Sequence, residues 1–192
     1  MKSVAALALT LAATACFGQA AAPGTDFRLD PTHSFVHFEV VHFGASTLRG
    51  RFGPLEGSLE FDRAARRGRV QVVIDTAKVS TGLPVLDARL REPDFLSVEA
   101  HPQAFFVAER FDIDAQGKVT SVRGEFTLRG SSQPLELKAT RFRCYTSPLI
   151  RREVCGGDFE ATLVRSSFGI THSLPFVADT VKLLVQVEAI AQ

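Results

Sequence analysis

What most constrains this chain is an alternation of apolar and polar side chains with a period of two residues. It begins in residues 30–61, DPTHSFVHFEVVHFGASTLRGRFGPLEGSLEF. From Ser34 to Phe43 the even positions Val36, Phe38 and Val40 form an apolar row, while the odd positions Phe35, His37, Glu39, Val41 and Phe43 are mixed. That is the pattern of a strand with one dry face. A Gly-rich turn region follows, and then Leu55, Gly57, Leu59 and Phe61 alternate with Glu56, Ser58 and Glu60. Two such runs with turn chemistry between them are expected to lie side by side, antiparallel.

The same grammar returns along the chain. Val70, Val72 and Ile74 share a face; so do Val122, Phe126 and Leu128, then Leu135, Leu137 and Ala139. Phe159, Ala161 and Leu163 follow, and the last run sets Val181, Leu183, Val185, Val187 and Ala189 against Lys182, Gln186 and Glu188. Between them, Ala104–Phe111 is strand-like with both parities partly apolar. Turn signatures separate these runs, as in Asp114–Gly117, Arg129-Gly130 and Cys155–Asp158. About eight strands at this spacing predict an all-β fold, an antiparallel barrel or a sandwich. One segment departs from the pattern. Leu83, Leu86 and Leu90 stand at helical spacing within Leu83–Glu92, with Pro84 near the start and Pro93 as a stop, which predicts one short helix.

Residues 1–20 have the layout of a secretory leader: Lys2, an apolar run over Val4–Ala15, and small residues around Gly18-Gln19-Ala20. Cys16 offers the alternative of a lipid anchor, although Ala13-Thr14-Ala15 fits the required box only loosely. Residues 21–192 are expected to form a single domain in the periplasm. Without the leader, basic and acidic residues balance, which gives no electrostatic footprint for nucleic acid. Cys144 and Cys155 are then the remaining cysteines, and in an oxidising compartment they read as a disulfide stapling a loop.

Catalytic and metal signatures are lacking. His33 and His37 lie about 13 Å apart along an extended strand, too far to share an ion, and no cluster has zinc spacing. No Gly-x-Ser-x-Gly elbow and no phosphate loop occurs. The aromatic set is more informative: sixteen Phe, one Tyr and no Trp. Phe buries area without needing a hydrogen-bond partner. An eight-stranded barrel is just wide enough either to be filled by such side chains or to enclose a small apolar guest.

Several motifs in order resemble one known family. They are Asp30-Pro31-Thr32-His33-Ser34, Val41-His42-Phe43-Gly44 with Arg49-Gly50-Arg51-Phe52, Asp87-x-x-Leu90-Arg91 with Asp94-Phe95, Gly124-x-Phe126-x-Leu128-x-Gly130, and Arg165-Ser166-x-Phe168-Gly169-Ile170. Together they resemble the YceI-like family of bacterial periplasmic proteins. The resemblance implies an extended, lipocalin-like barrel with a long internal tunnel. It further implies binding of polyisoprenoids, isoprenoid quinones or similar long-chain amphiphiles, with no family-wide catalytic activity and no cofactor. One departure stands out: Arg89 occupies a position where the family often has His.

Periodicity and resemblance together predict a non-enzymatic lipid-binding protein. The residues expected to face the ligand are Val36, Phe38, Val40, Phe52, Leu55, Leu59, Phe126, Leu128 and Phe168. Arg49, Arg51 and Arg91 are the candidate cations for a head group. Transient membrane contact and a homodimer are left open. The rival readings are an enzyme using His33 or His42 in the same pocket, and a filled barrel that binds other proteins through an exposed apolar patch.

Overall fold

A computed structural model of the chain describes residues 24–192, so the leader and Cys16 lie outside the described residues. Ten strands account for most of them: β1 (Thr25–Leu29), β2 (Phe35–His42), β3 (Ser46–Phe52), β4 (Glu56–Asp62), β5 (Arg67–Asp75), β6 (Gln103–Ile113), β7 (Val119–Leu128), β8 (Ser131–Thr146), β9 (Glu153–Val164) and β10 (Val177–Ala191). One helix, α1 (Pro84–Arg91), sits between β5 and β6, and short 3-10 turns cover Thr76–Lys78 and Arg165–Phe168.

The strands form a single antiparallel sheet that closes on itself. Its order is β1-β4-β5-β6-β7-β8-β9-β10, with β10 pairing back onto β1. Along one edge β10 serves two partners in turn: Ala189–Ala191 pair with β1, and Val177–Gln186 pair with β2. On the next position round, β4 pairs with β1 and β3 with β2. So β1 and β2 are two halves of one stave, β4 and β3 are two halves of the next, and the barrel has the eight staves expected.

The break between β1 and β2 has a local cause. Pro31 cannot donate to a ladder, and the Asp30 carboxylate accepts hydrogen bonds from the Thr32 backbone N–H at 2.9 Å and hydroxyl at 2.7 Å. Ser34 then re-enters the wall, fully buried, with its carbonyl accepting from Leu55 N–H at 3.0 Å. This arrangement corrects one expectation. The runs Ser34–Phe43 and Leu55–Phe61 are not neighbours, because the stretch between them forms β3 and takes the place beside β2.

Barrel ends differ. The turn end carries the loops at 63–66, 114–117 and 147–152; the helix end carries α1, the 92–102 segment and the 165–176 loop. Where β4 gives way to β3, the wall beside β5 is completed by the chain at Ser80, which exchanges backbone hydrogen bonds with Arg51 at 2.8 and 2.9 Å. The helix that follows buries none of its residues. At two turns it is too short to lie along the barrel as an amphipathic rod, and it turns Leu90 inward while Leu83 and Val85 face solvent.

Near the turn end, β6 carries a bulge between Ala108 and Arg110 opposite β7. A bulge shifts the inward parity by one, so Ala104, Phe106 and Ala108 are buried before it and Ile113 after it. This explains the mixed parity of that run. Gly124 makes the close approach feasible, since a Cβ there would collide with the Val107 carbonyl and with Ala108. Gly124→Ala should therefore destabilise the barrel by about 1–3 kcal/mol, seen as a lower urea midpoint with an unchanged slope.

Cys144 and Cys155 face each other across β8 and β9 and are joined by a disulfide. The loop they close is short, so the chain-entropy gain is about 2–3 kcal/mol. Cys144→Ala/Cys155→Ala should lose roughly that much in denaturant unfolding, and alkylation of the unreduced, denatured protein should find neither thiol.

Candidate functional site: an apolar tunnel

Small inward residues help keep the barrel hollow. Ala104 and Ala189 are among the lining residues and add little bulk to the interior. The resulting cavity measures about 250 Å³. Its lining on β10 runs from Val177 to Ala189. That stretch is roughly 40 Å of strand, or about 30 Å along the axis at the usual tilt of a closed barrel.

Phenylalanines close the turn end. Phe111 and Phe142 line the cavity there, and behind them Phe61 packs against both rings, at centroid distances of 6.3 and 5.9 Å. Phe27, Phe61 and Ile113 are buried at the same end. At the helix end Leu90 and Phe95 line the cavity, partly exposed like Phe111 and Phe142.

Polarity follows the same axis. Among the lining residues no histidine, serine or carboxylate occurs, and the only polar side chains are Thr76 and Arg165, both at the helix end. The Thr76 hydroxyl donates to the His101 carbonyl at 2.9 Å. Arg165 is buried and has no carboxylate hydrogen-bonded to it. Instead its guanidinium donates to four carbonyls, those of Ala178 (2.9 Å), Ile170 (2.9 Å), His172 (2.8 Å) and Val177 (2.9 Å). Burial holds its pKa below the ordinary arginine value, with the nearby Asp179 charge opposing. An arginine starts so high that it stays charged. The tunnel thus ends in an apolar wall at one end and a hydrogen-bonded cation at the other.

The expected site residues divide clearly. Val36, Phe38, Val40, Phe52, Leu55, Leu59, Phe126 and Leu128 all line the cavity. Phe168 is buried but not in the lining; it packs edge-on against Phe126 at 5.6 Å, from behind. None of the three expected cations reaches the tunnel. Arg49 and Arg51 alternate with inward Leu48 and Phe52 on β3 and so point outward: Arg49 pairs with Glu39 at 2.7 Å and Arg51 lies over the Phe35 ring at 4.9 Å. Arg91 donates to the carbonyls of Ala77 (2.8 Å) and Val79 (3.2 Å), tying α1 to the chain before it. Arg165 is the cation that sequence reasoning missed. Its signal was available: an arginine enclosed by inward Leu163 and buried Phe168 is not a surface residue. His33 caps Asp30 on the outer surface at 2.7 Å, and His42 stands at the exposed tip of β2.

Arg89 also works at the helix end. It pairs with Asp94 at 2.6 Å and with Glu92, and lies over the Phe95 ring at 4.8 Å. Arg129 donates to the Pro93 carbonyl at 2.9 Å and to that of Phe95. These contacts hold Phe95 over the tunnel.

A closed, hollow barrel with an apolar interior and its polar side chains at one end has room for an elongated apolar molecule. The chain belongs to the YceI-like domain family, whose model matches residues 27–189. It is 34% identical over 194 residues to a UPF0312 protein of Pseudomonas aeruginosa, covering 100% of this chain and 98% of the relative. Protein YceI of Escherichia coli O157:H7 is 30% identical over 189 residues, covering 97% of each. Among solved structures, BcnA of Burkholderia cenocepacia superposes with a TM-score of 0.67 at 20% identity, covering 83% of this chain and 98% of that one. A polyisoprenoid binding domain from Saccharophagus degradans gives 0.64 at 17% identity, covering 86% and 98%. These two likenesses show the shared fold.

Two carboxylates at the helix end are held below the usual range by hydrogen bonds, Asp94 chiefly from Arg89 and Asp179 chiefly from the Ser166 hydroxyl. A lowered folded pKa stabilises above the unfolded value and is lost as pH falls through the folded one. Amide protection factors in 92–101 and 165–176, taken relative to the intrinsic rate at each pH, should therefore fall below about pH 4. Arg165→Met removes the donors to four carbonyls and should cost about 3 kcal/mol or more in unfolding experiments.

Proposed function

We propose that this protein binds a long-chain polyisoprenoid, an isoprenoid quinone or a similar lipid inside the barrel, for carriage or storage in the periplasm. The observation that carries the reading is the tunnel itself: apolar from Val40 to Phe142, with its two polar side chains at one end. Such a shape suits a molecule with a long hydrocarbon tail and one small polar end. The tail lies toward the phenylalanine plug, and the polar end lies near Arg165 and Thr76. The polyisoprenoid binding domain that shares this fold supports the ligand class, and the leader-like residues 1–20 support the compartment.

Energetics fit exchange better than capture from water. Each buried CH₂ is worth about 0.8 kcal/mol, so a tail of tens of carbons measured against water would exceed any practical affinity ceiling. The relevant competitor is a bilayer, which solvates the tail as well as the tunnel does. The tail then contributes little to the net exchange, and the direction is set by small differences at the polar end.

Organic extraction of purified protein, followed by mass spectrometry, should recover a long-chain lipid. Val185 lines the tunnel midway, opposite Val36 on β2 and Phe159 on β9. Val185→Trp should fold, because the added ring enters free space, and should carry background levels of lipid only. An empty wild-type protein that takes up no long-chain quinone from vesicles contradicts the reading.

A further inference from the structure

At the helix end, the β2–β3 hairpin tip carries an anomaly. Phe43 and Gly44 both adopt left-handed backbone conformations, with φ of 51° and 65°, closed by an Ala45 N–H to His42 carbonyl hydrogen bond of 3.0 Å. Successive positive φ values favour Asn-Gly or Asp-Gly; a bulky residue in that region is an outlier. Phe43 is nonetheless there, and it is 63% exposed. Neither the turn nor the core calls for its ring.

The ring has two aromatic partners, both exposed: the His42 ring meets it edge-on at 4.8 Å, and Phe176 is the other. Phe176, 59% exposed, stacks on Phe43 at 5.2 Å, and its carbonyl accepts from the Phe43 N–H at 2.7 Å. Val41 and Val164, also exposed, flank β10 on the same side. Leu83, just before α1, and Val85 within it are exposed at the same end of the barrel. Charged groups nearby are in part paired with each other, as in Arg49–Glu39 and Arg89–Asp94. The helix end thus exposes several apolar side chains close to the polar end of the tunnel.

We propose that this rim is a membrane-docking surface, with Phe43 and Phe176 inserting into the interfacial region of a lipid bilayer. The inference rests on the tunnel reading for its purpose. A hydrocarbon cargo reaches the tunnel without crossing water only if the tunnel mouth contacts the phase that dissolves it, and the polar side chains Thr76 and Arg165 mark the helix end as that mouth. Size also favours lipid over protein. The two rings present roughly 250 Å² between them, well short of the ~800 Å² per partner that a stable protein interface buries, yet apolar side chains of this kind suffice to anchor a protein at an interface. Docking through the two rings draws on burial and not on anionic lipid.

Flotation of the purified protein with phosphatidylcholine vesicles tests the proposal, run with and without phosphatidylglycerol and at low and high salt. The wild type should float in every case. Phe43→Asn/Phe176→Ser should lose about tenfold or more of the bound fraction, and the asparagine suits the left-handed turn, so the variant should fold. Leu149→Ser/Ile150→Ser, at the opposite end beside Arg151 and Arg152, should float like the wild type. The docking surface is overturned if the wild type does not float, if binding needs anionic lipid or disappears at high salt, or if the ring variant binds undiminished. Self-association through the rings in place of vesicle binding overturns it too. A wild type that floats through the two rings but contains no lipid removes the tunnel reading and leaves the docking surface standing.

Discussion

Everything in this protein depends on the seam where its first and last strands meet. Phe27, Arg28 and Leu29 of β1 pair with Ala191, Ile190 and Ala189 of β10, so the chain's two ends close a sheet that would otherwise expose two long edges. Closure removes the aggregation hazard of those edges and fixes the number of staves, hence the width of the interior. At eight staves that width is decided by the side chains within it. Alanine at Ala104 and Ala189 leaves space where phenylalanine would fill it.

Closure also separates two ends with different chemistry. At the turn end the phenylalanines Phe27, Phe61, Phe111 and Phe142 pack on one another, needing no polar partner. At the helix end the wall is irregular, and irregular backbone leaves carbonyls without a ladder. Arg165 satisfies four of them at once. A single residue thus makes the loop region structurally sound and sets a positive charge at one end of an apolar tunnel. Under the proposed function, the same feature that stabilises the fold would orient an amphiphile within it.

The sequence showed the inward faces well wherever a strand paired regularly along its length. Val36, Phe38, Val40, Leu59 and Leu128 were read from parity alone and line the tunnel. It failed where the local signal was short or interrupted. β1 has five residues, and Phe27 and Leu29 are too few to stand out as a period of two. β3 was taken for part of a turn region because Gly44, Gly50 and Gly53 punctuate it. Had it been recognised as a strand, the alternation of Leu48 and Phe52 with Arg49 and Arg51 would have turned both arginines outward. The partner of each strand was legible only in part, since parity says which face is dry and nothing about which neighbour lies beside it. The likeness to the YceI-like family supplied what parity could not, namely that the barrel encloses a tunnel.

The central claim is that the hollow is a measured slot for a hydrocarbon chain, so its most direct test is length. Protein can be equilibrated with vesicles carrying isoprenoid quinones that share one head group and differ only in the number of isoprene units, and the quinone retained by the protein measured for each. The account predicts strong retention for chains that fit between Arg165 and the phenylalanine plug, followed by a sharp decline for longer ones. Retention that rises with chain length without limit, or that is insensitive to it, would place the lipid outside the barrel and contradict the account.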